Sequence, residues 1–345
     1  MLKGLIQGTT AAPRRIVLYG VGGIGKGTWA AGAPKPIFIQ TEDGNNDIGV
    51  DRLPLCRSLA DVQAQMRMVF TEEHDYRTLV IDSLDQMEPL IWGVIASAAG
   101  KDNIGEIGYG KGYDAAVTDW RKVLYVLDKI RDVRGMTIIL IAHAKVERFE
   151  DPQNDAYDRY SLQLHKKAAA EVVHWTDELL FANYIANVRK LEDGRRTLGI
   201  GSGQRVIYTQ ERPAFVAKSR LEIPPEIPMP KVGGWQVYAD YFAANVPEGA
   251  PAAAAVEAAS PAEAIPAGQG APSTLADDLL GMGFAPHSIG EMDLADLRER
   301  AKEMRSTMTA AEKSSVSVAI KNLDTARLRE LLLVVEARQE ATSHD

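Results

Sequence analysis

The segment Arg15–Ala31, RIVLYGVGGIGKGTWAA, constrains the chain more than any other: an apolar strand enters a glycine-rich turn and then a helix. Gly20, Gly22, Gly23 and Gly25 allow turns and close backbone approaches that a Cβ would forbid. Lys26 follows at the helix start, where free N–H groups and the helix dipole favour a phosphate. The spacing Gly20-x-x-x-x-Gly25-Lys26 is that of a phosphate-binding P-loop. In that reading Gly20, Val21, Gly22, Gly23, Ile24, Gly25, Lys26, Gly27 and Thr28 cradle the phosphates of a nucleotide. The segment leaves two other readings open. Gly27 stands where the pattern has Ser or Thr, and Gly20-Val-Gly22-Gly23-Ile-Gly25 also satisfies the dinucleotide fingerprint G-x-G-x-x-G, with Glu42 as its ribose acid. A tight structural turn is the third possibility.

Further apolar runs alternate with helical stretches. Strands are predicted at Arg15–Tyr19, Pro36–Gln40, Thr78–Asp82, Thr137–Ala142 and Glu178–Ala182. Helices fit Lys26–Ala31, Leu59–Val69, Met87–Ala99, Asp114–Val133 and Lys166–Val173. Continuous apolar strands separated by helices predict a mostly parallel sheet covered on both faces. From Arg195 to Ser219, short strands with Gly and Pro turns predict an antiparallel extension. In a parallel sheet the strand C-termini converge on the ligand crevice. They would bring Lys26, Glu42, Asp82 and His143 to one edge. Asp82 suits a nucleotide's Mg²⁺, and Glu42 suits the orientation of an attacking water. Each has a plainer role as well: Glu42 or Asp82 as a helix cap, His143 as a hydrogen-bonded edge residue.

The order GxxxxGK, IFIQTEDG, TLVIDSLD, IILIAH resembles the RecA-like ATPase core. More narrowly, with YDRYSLQLHKKAA and RPAFVAKSR, it is similar to the phage Sak-type ATP-binding single-strand annealing recombinases. The resemblance spans about residues 13–222. It implies ATP and Mg²⁺ as ligands, Asp82 ordering the metal through water, Glu42 as the catalytic carboxylate, and His143 sensing the γ-phosphate. It also implies a ring or filament of identical chains. Lys218 and Arg220, at i and i+2 on a predicted strand, would then reach a neighbour's nucleotide as an arginine finger does. A solvated basic strand end is the plain reading of that pair. Thr28 is turned by about 100° from the usual hydroxyl position, so it is better placed for a phosphate oxygen than for the metal, and Gly27 is expected to weaken the metal clamp.

Two predicted loops mix cations with aromatics, a combination suited to single-stranded DNA, where bases stack on rings and phosphates meet Lys or Arg. Lys101–Tyr113 offers Tyr109, Lys111 and Tyr113; Lys145–Lys167 offers Arg148, Phe149, Arg159, Tyr160, Lys166 and Lys167. Ordinary packing is the competing explanation for those aromatics.

Composition narrows the class. The 345 residues are 46% hydrophobic and 25% charged, which excludes wholesale disorder. A single cysteine, Cys56, permits no internal disulfide and points to a reducing cytoplasm, that of a bacterial host if the chain is phage-encoded. No apolar run reaches the roughly 18 residues of a membrane helix, and MLKGLIQGTTAAPRR lacks a signal peptide's apolar stretch. The net charge of −8 is concentrated after residue 250, so the near-neutral remainder leaves a local basic groove possible. Residues 247–272 hold 11 Ala and 5 Pro and read as a disordered linker. This divides the chain into a core at 1–246, the linker, and a small acidic helical module at 273–345. Leu294, Leu297, Ala301 and Met304 recur there at helical spacing, followed by a capping box at Thr309–Glu312 and the stripe Leu328, Leu331, Leu332 and Val335. The module is expected to recruit a replication or recombination partner. The resulting expectation is a Mg²⁺-dependent, DNA-stimulated ATPase in recombination or annealing; its competitors are an ATP-dependent switch with little turnover, a Rossmann NAD enzyme and a phosphotransferase.

Overall fold

The computed structural model describes residues 12–151, 154–190, 197–244 and 294–306, and positions 308, 309, 313, 315–317, 320, 328, 331 and 332. Along the chain, β1 (Arg15–Gly20) leads to α1 (Lys26–Ala31), β2 (Pro36–Gln40), β3 (Asp51–Arg52), α2 (Leu59–Thr71), β4 (Thr78–Asp82) and α3 (Leu84–Ala98). Then come α4 (Lys111–Arg134), β5 (Thr137–Phe149), β6 (Tyr157–Leu162), α5 (Lys166–Trp175), β7 (Glu178–Lys190), β8 (Thr197–Tyr208), β9 (Glu226–Pro228) and α6 (Gly234–Ala244).

The strand order is β3-β2-β4-β5-β1-β7-β8-β9, with β6 paired to β5. Strands β3 to β7 along this order are parallel, and β8 and β9 add antiparallel. This is the mostly parallel α/β core with an antiparallel extension that the apolar runs predict. Side chains alternate across the pleat. Ile16, Leu18, Phe38, Val80, Ile139 and Ile141 pack with Trp29 of α1 and with Trp235 and Tyr238 of α6. Trp29 meets Trp235 edge-on at 4.9 Å. Val17, Tyr19, Leu79, Ile81 and Leu140 alternate with them and are fully buried too. Burial on both faces is why these strands read as unbroken apolar runs.

Three predicted features differ. Lys145–Lys167 is not a loop: β5 runs on past the parallel sheet and pairs with β6 as an antiparallel ribbon, Arg148 opposite Asp158 and Phe149 opposite Tyr157. Lys145, Glu147, Arg148, Asp158 and Arg159 interrupt the ribbon, so it carries no apolar run although Tyr160 and Leu162 pack inward. Lys101–Tyr113 contains two short 3-10 turns, Ile104–Glu106 and Gly108–Gly110, and then the start of α4. Lys218 and Arg220 are not on a strand; Lys218 makes an isolated bridge to Leu179, exchanging both backbone bonds at 2.9 Å. The short helix α6, which lies between Pro- and Gly-rich stretches, escaped the sequence reading.

The chain divides into two compact units, Met1–Ala267 and Gly268–Asp345. The predicted linker, the Thr309–Glu312 box beyond Thr309, and Val335 lie outside the described residues. In the second unit α7 (Leu294–Glu303) and a 3-10 turn at Met304–Ser306 bury Leu297, Ala301 and Met304 with Met308, Val316, Leu328 and Leu332.

Candidate functional site

The turn after β1 is built as its glycines require. Gly23 and Gly25 have φ of 72° and 97°, in the left-handed region where a Cβ is strained. At Gly20 a Cβ would lie 2.2 Å from the Ala182 carbonyl oxygen of β7. Ile24 drives its side chain into the core, pinning the middle of the loop. Its carbonyl accepts a 2.7 Å bond from Arg205 Nη1 on β8. Gly22, Gly23 and Thr28 are exposed, while Lys26 is buried.

Lys26 folds back over the turn, its Nζ donating to the Gly20 and Val21 carbonyls at 3.1 Å each. Burial pushes its pKa down, and the carboxylates of Asp82, Asp85 and Glu42 pull in the other direction. A buried ammonium held by loop carbonyls at the start of a helix whose N-cap has no side-chain bond matches an anion in charge and donor geometry.

The other strand ends meet at the same edge. Gly20 is level with His143, and Gln40 with Asp82. The Asp82 carbonyl accepts the N–H groups of Thr41 and Glu42, tying β2 to β4 beyond the ladder. The Asp82–Ser83 peptide bond is cis. The Asp82 carboxylate accepts from Asn45 Nδ2 at 3.0 Å; burial and Glu42 raise its pKa, while Asn45, Lys26 and His143 oppose this. Glu42 accepts from Ser83 Oγ at 3.0 Å and lies 3.9 Å from His143 Nδ1. The helix that follows Glu42 in sequence, α2, is capped by Ser58 with Asp61, so Glu42 does not cap it.

Asp85, in the first turn of α3, organises His143. Its carboxylate accepts the His143 backbone N–H at 2.8 Å and Nδ1–H at 2.9 Å. This bond raises the His143 pKa; burial works against ionising Asp85, yet the His143 bonds hold its pKa below the ordinary value. Glu42, Asp85 and His143 place ligand-type atoms within 4.8 Å of one another. Asp85, Asn45 and Arg205 were missed from sequence. Asp85 had a signal, the second carboxylate of Asp82-Ser-Leu-Asp85; Arg205 comes from a distant antiparallel strand and had none.

Strand order bears on the dinucleotide reading. That site needs its ribose acid on the strand beside the glycine-rich one. Here β4 and β5 separate β2, and hence Glu42, from β1. The AAA domain family matches residues 12–221. The chain belongs to the AAA domain family. The AAA region therefore spans β1 to the Lys218 bridge and includes the whole of this edge. Among solved structures the chain is similar to a RadB recombinase, at 12% identity and a TM-score of 0.34, with 64% of this chain and 90% of that one covered. No curated protein matches the sequence.

The remaining predicted residues lie elsewhere. Arg220 pairs with Asp177 at 3.0 Å, and Asp177 also holds Arg15 at 2.9 Å. Arg15 begins β1, so this cluster sits at the far end of that strand from the phosphate turn, about 16 Å away at strand rise. Lys218 is lowered by burial and by Arg220. Of the predicted DNA residues, Tyr109, Lys111, Arg148 and Lys166 are exposed, Tyr109 fully and with φ of 56°. Arg148 faces Asp158 at 3.4 Å. The others are engaged within the chain. Tyr113 stacks on His165 at 4.2 Å, Arg159 lies over Phe149 at 3.7 Å, Tyr160 packs against Phe181, and Lys167 bonds Asp114. Cys56 is buried, its thiol pushed up to about 12 by burial, so it is no nucleophile. No helix among the described residues is long and apolar enough to cross a membrane.

Proposed function

We propose that this AAA protein is a RecA-like ATPase that binds ATP with Mg²⁺ at this sheet edge, self-associates, and engages single-stranded DNA in phage-type recombination or annealing. The observation that carries the reading is the buried Lys26 ammonium, clasped by two loop carbonyls and facing Asp82, Glu42 and the Asp85–His143 pair. The oxygen donors of Asp82 and Asn45 and the free volume above Gly22 and Gly23 fit a hard cation beside a phosphate chain. When bound, Mg²⁺ neutralises charge that develops on the phosphates.

The chain's own groups divide the work. Loop N–H groups and Lys26 bind the phosphates. Glu42, half-exposed and oriented by Ser83, orients the attacking water and accepts its proton. His143, held by Asp85, sits between that carboxylate and the ribbon of β5 and β6, so a change at the phosphate passes along one continuous strand. Tyr109, Lys111 and Lys166 remain available to nucleic acid, and Arg148 would have to exchange Asp158 for a phosphate. Lys218 and Arg220, remote from their own chain's turn, are assigned to a neighbour's site. The bacterial cytoplasm is the compartment this reading requires, and the helical second unit is assigned to partner recruitment.

Phosphate release by the wild type and by Glu42→Gln, with and without single-stranded DNA, checks the reading. Mg²⁺-dependent release that DNA stimulates and Glu42→Gln abolishes is expected. ATP-dependent DNA binding without release would instead identify the low-turnover switch that Gly27 favours.

A further inference from the structure

The position after Lys26 has no side chain, yet the space beside it is filled. A Cβ on Gly27 would lie 2.9 Å from Asn45 Oδ1, 3.1 Å from Ile48 Cδ1 and 3.4 Å from Asp82 Oδ2. Asn45 is 3% exposed, and its Nδ2 donates to Asp82 Oδ2 at 3.0 Å. Only the amino end of a carboxamide can face a carboxylate, so the Asp82 bond turns Oδ1 toward Gly27. The residue is held from behind as well: its backbone carbonyl accepts the Ile48 N–H at 3.1 Å, and Thr41 and Glu42 anchor the preceding strand end to Asp82.

In a P-loop the hydroxyl directly after the lysine is a Mg²⁺ ligand. A carboxamide oxygen is a hard, neutral oxygen donor of the same kind. We propose that Asn45 replaces that missing hydroxyl, its Oδ1 holding the nucleotide-bound Mg²⁺ beside Asp82. This rests on the ATP reading above and deepens it. The arrangement explains why glycine stands at position 27: a serine there would push into the carboxamide. It also reverses the expectation drawn from the sequence. Gly27→Ser alone displaces Asn45 before it can add a ligand, and so does not strengthen metal binding.

The metal is followed with Mn²⁺ as a spectroscopic stand-in, by the loss of the free-ion electron paramagnetic resonance signal in the presence of ATP. ATP affinity in EDTA is measured in parallel by calorimetry. Asn45→Ala is expected to weaken Mn²⁺ retention about tenfold or more while ATP affinity in EDTA is unchanged. Gly27→Ser shows no gain over the wild type. The double variant Gly27→Ser/Asn45→Ala, with the hydroxyl present and the crowding relieved, recovers Mn²⁺ retention. Unchanged Mn²⁺ retention in folded Asn45→Ala overturns the proposal, as does a loss that the double variant fails to recover or that EDTA binding shares. Absence of ATP binding by the wild type in EDTA would instead strike the ATP reading itself.

Discussion

Replacing Lys26 with alanine removes the one buried cation of the phosphate turn. Its Nζ is satisfied by two carbonyls at 3.1 Å, within a field of three carboxylates. On binding, it gives up those carbonyls for phosphate oxygens, so the gain is that of about one charge-assisted contact rather than two. Such a contact contributes about 1.5–3 kcal/mol. At about 1.4 kcal/mol per factor of ten, the Kd for ATP rises roughly 10- to 150-fold. Calorimetry gives the Kd, and the ATP-induced rise in Tm, which follows from preferential binding to the folded state, shrinks with it. Lys26→Met keeps most of the stem volume and separates loss of charge from loss of packing. Unchanged ATP affinity in a variant with a native circular dichroism spectrum would refute the P-loop assignment.

Arg220→Ala slows hydrolysis without abolishing ATP binding, and mixing it with Glu42→Gln protomers restores part of the activity in phosphate-release assays; no recovery in confirmed mixed assemblies would place Arg220 in a purely structural role with Asp177. Burial pushes the Glu88 carboxyl up to about 7 from an ordinary 4.5, although it accepts the His165 N–H. The folded chain therefore keeps a proton that the unfolded chain releases between those values, and stability falls as pH rises from 5 toward 7, by up to about 1.4 kcal/mol for each unit of pH. His143 changes stability in the same direction, so urea midpoints of Glu88→Gln, flatter with pH than those of wild type, isolate the Glu88 share; parallel curves would reject it. Truncation at Pro247 leaves ATP affinity intact by calorimetry, because Lys26, Asp82 and Glu42 all lie upstream; a soluble truncated core that binds no ATP would reject this division.

Parallel strands buried on both faces were legible because each is a continuous apolar run, and those at Gln40, Asp82 and Ala142 give way to polar residues at one edge. Those endings also brought Lys26, Glu42, Asp82 and His143 into one candidate site. What escaped depends on pairings across long sequence separations. Arg205 reaches the turn from β8, a return strand whose position no local pattern specifies. Asn45 sits in a segment with neither helix nor strand period, and its meaning emerges only from the space beside Gly27. The ribbon of β5 and β6 read as a loop because strand propensity there is masked by charge. Tyr113 and Tyr160 carried the composition of a DNA-binding surface, yet their rings are taken by His165 and Phe181.

The central claim, that the nucleotide at this sheet edge governs binding to single-stranded DNA by an assembly of identical chains, is tested most directly by one titration. Fluorescence anisotropy of a labelled single strand is recorded with sedimentation of the same samples, in ATP with Mg²⁺, in ADP, in NAD and without nucleotide. Tight binding and large particles are expected with ATP, and weaker binding in the other three conditions. Anisotropy and particle size that ignore ATP, or that respond to NAD instead, would contradict it.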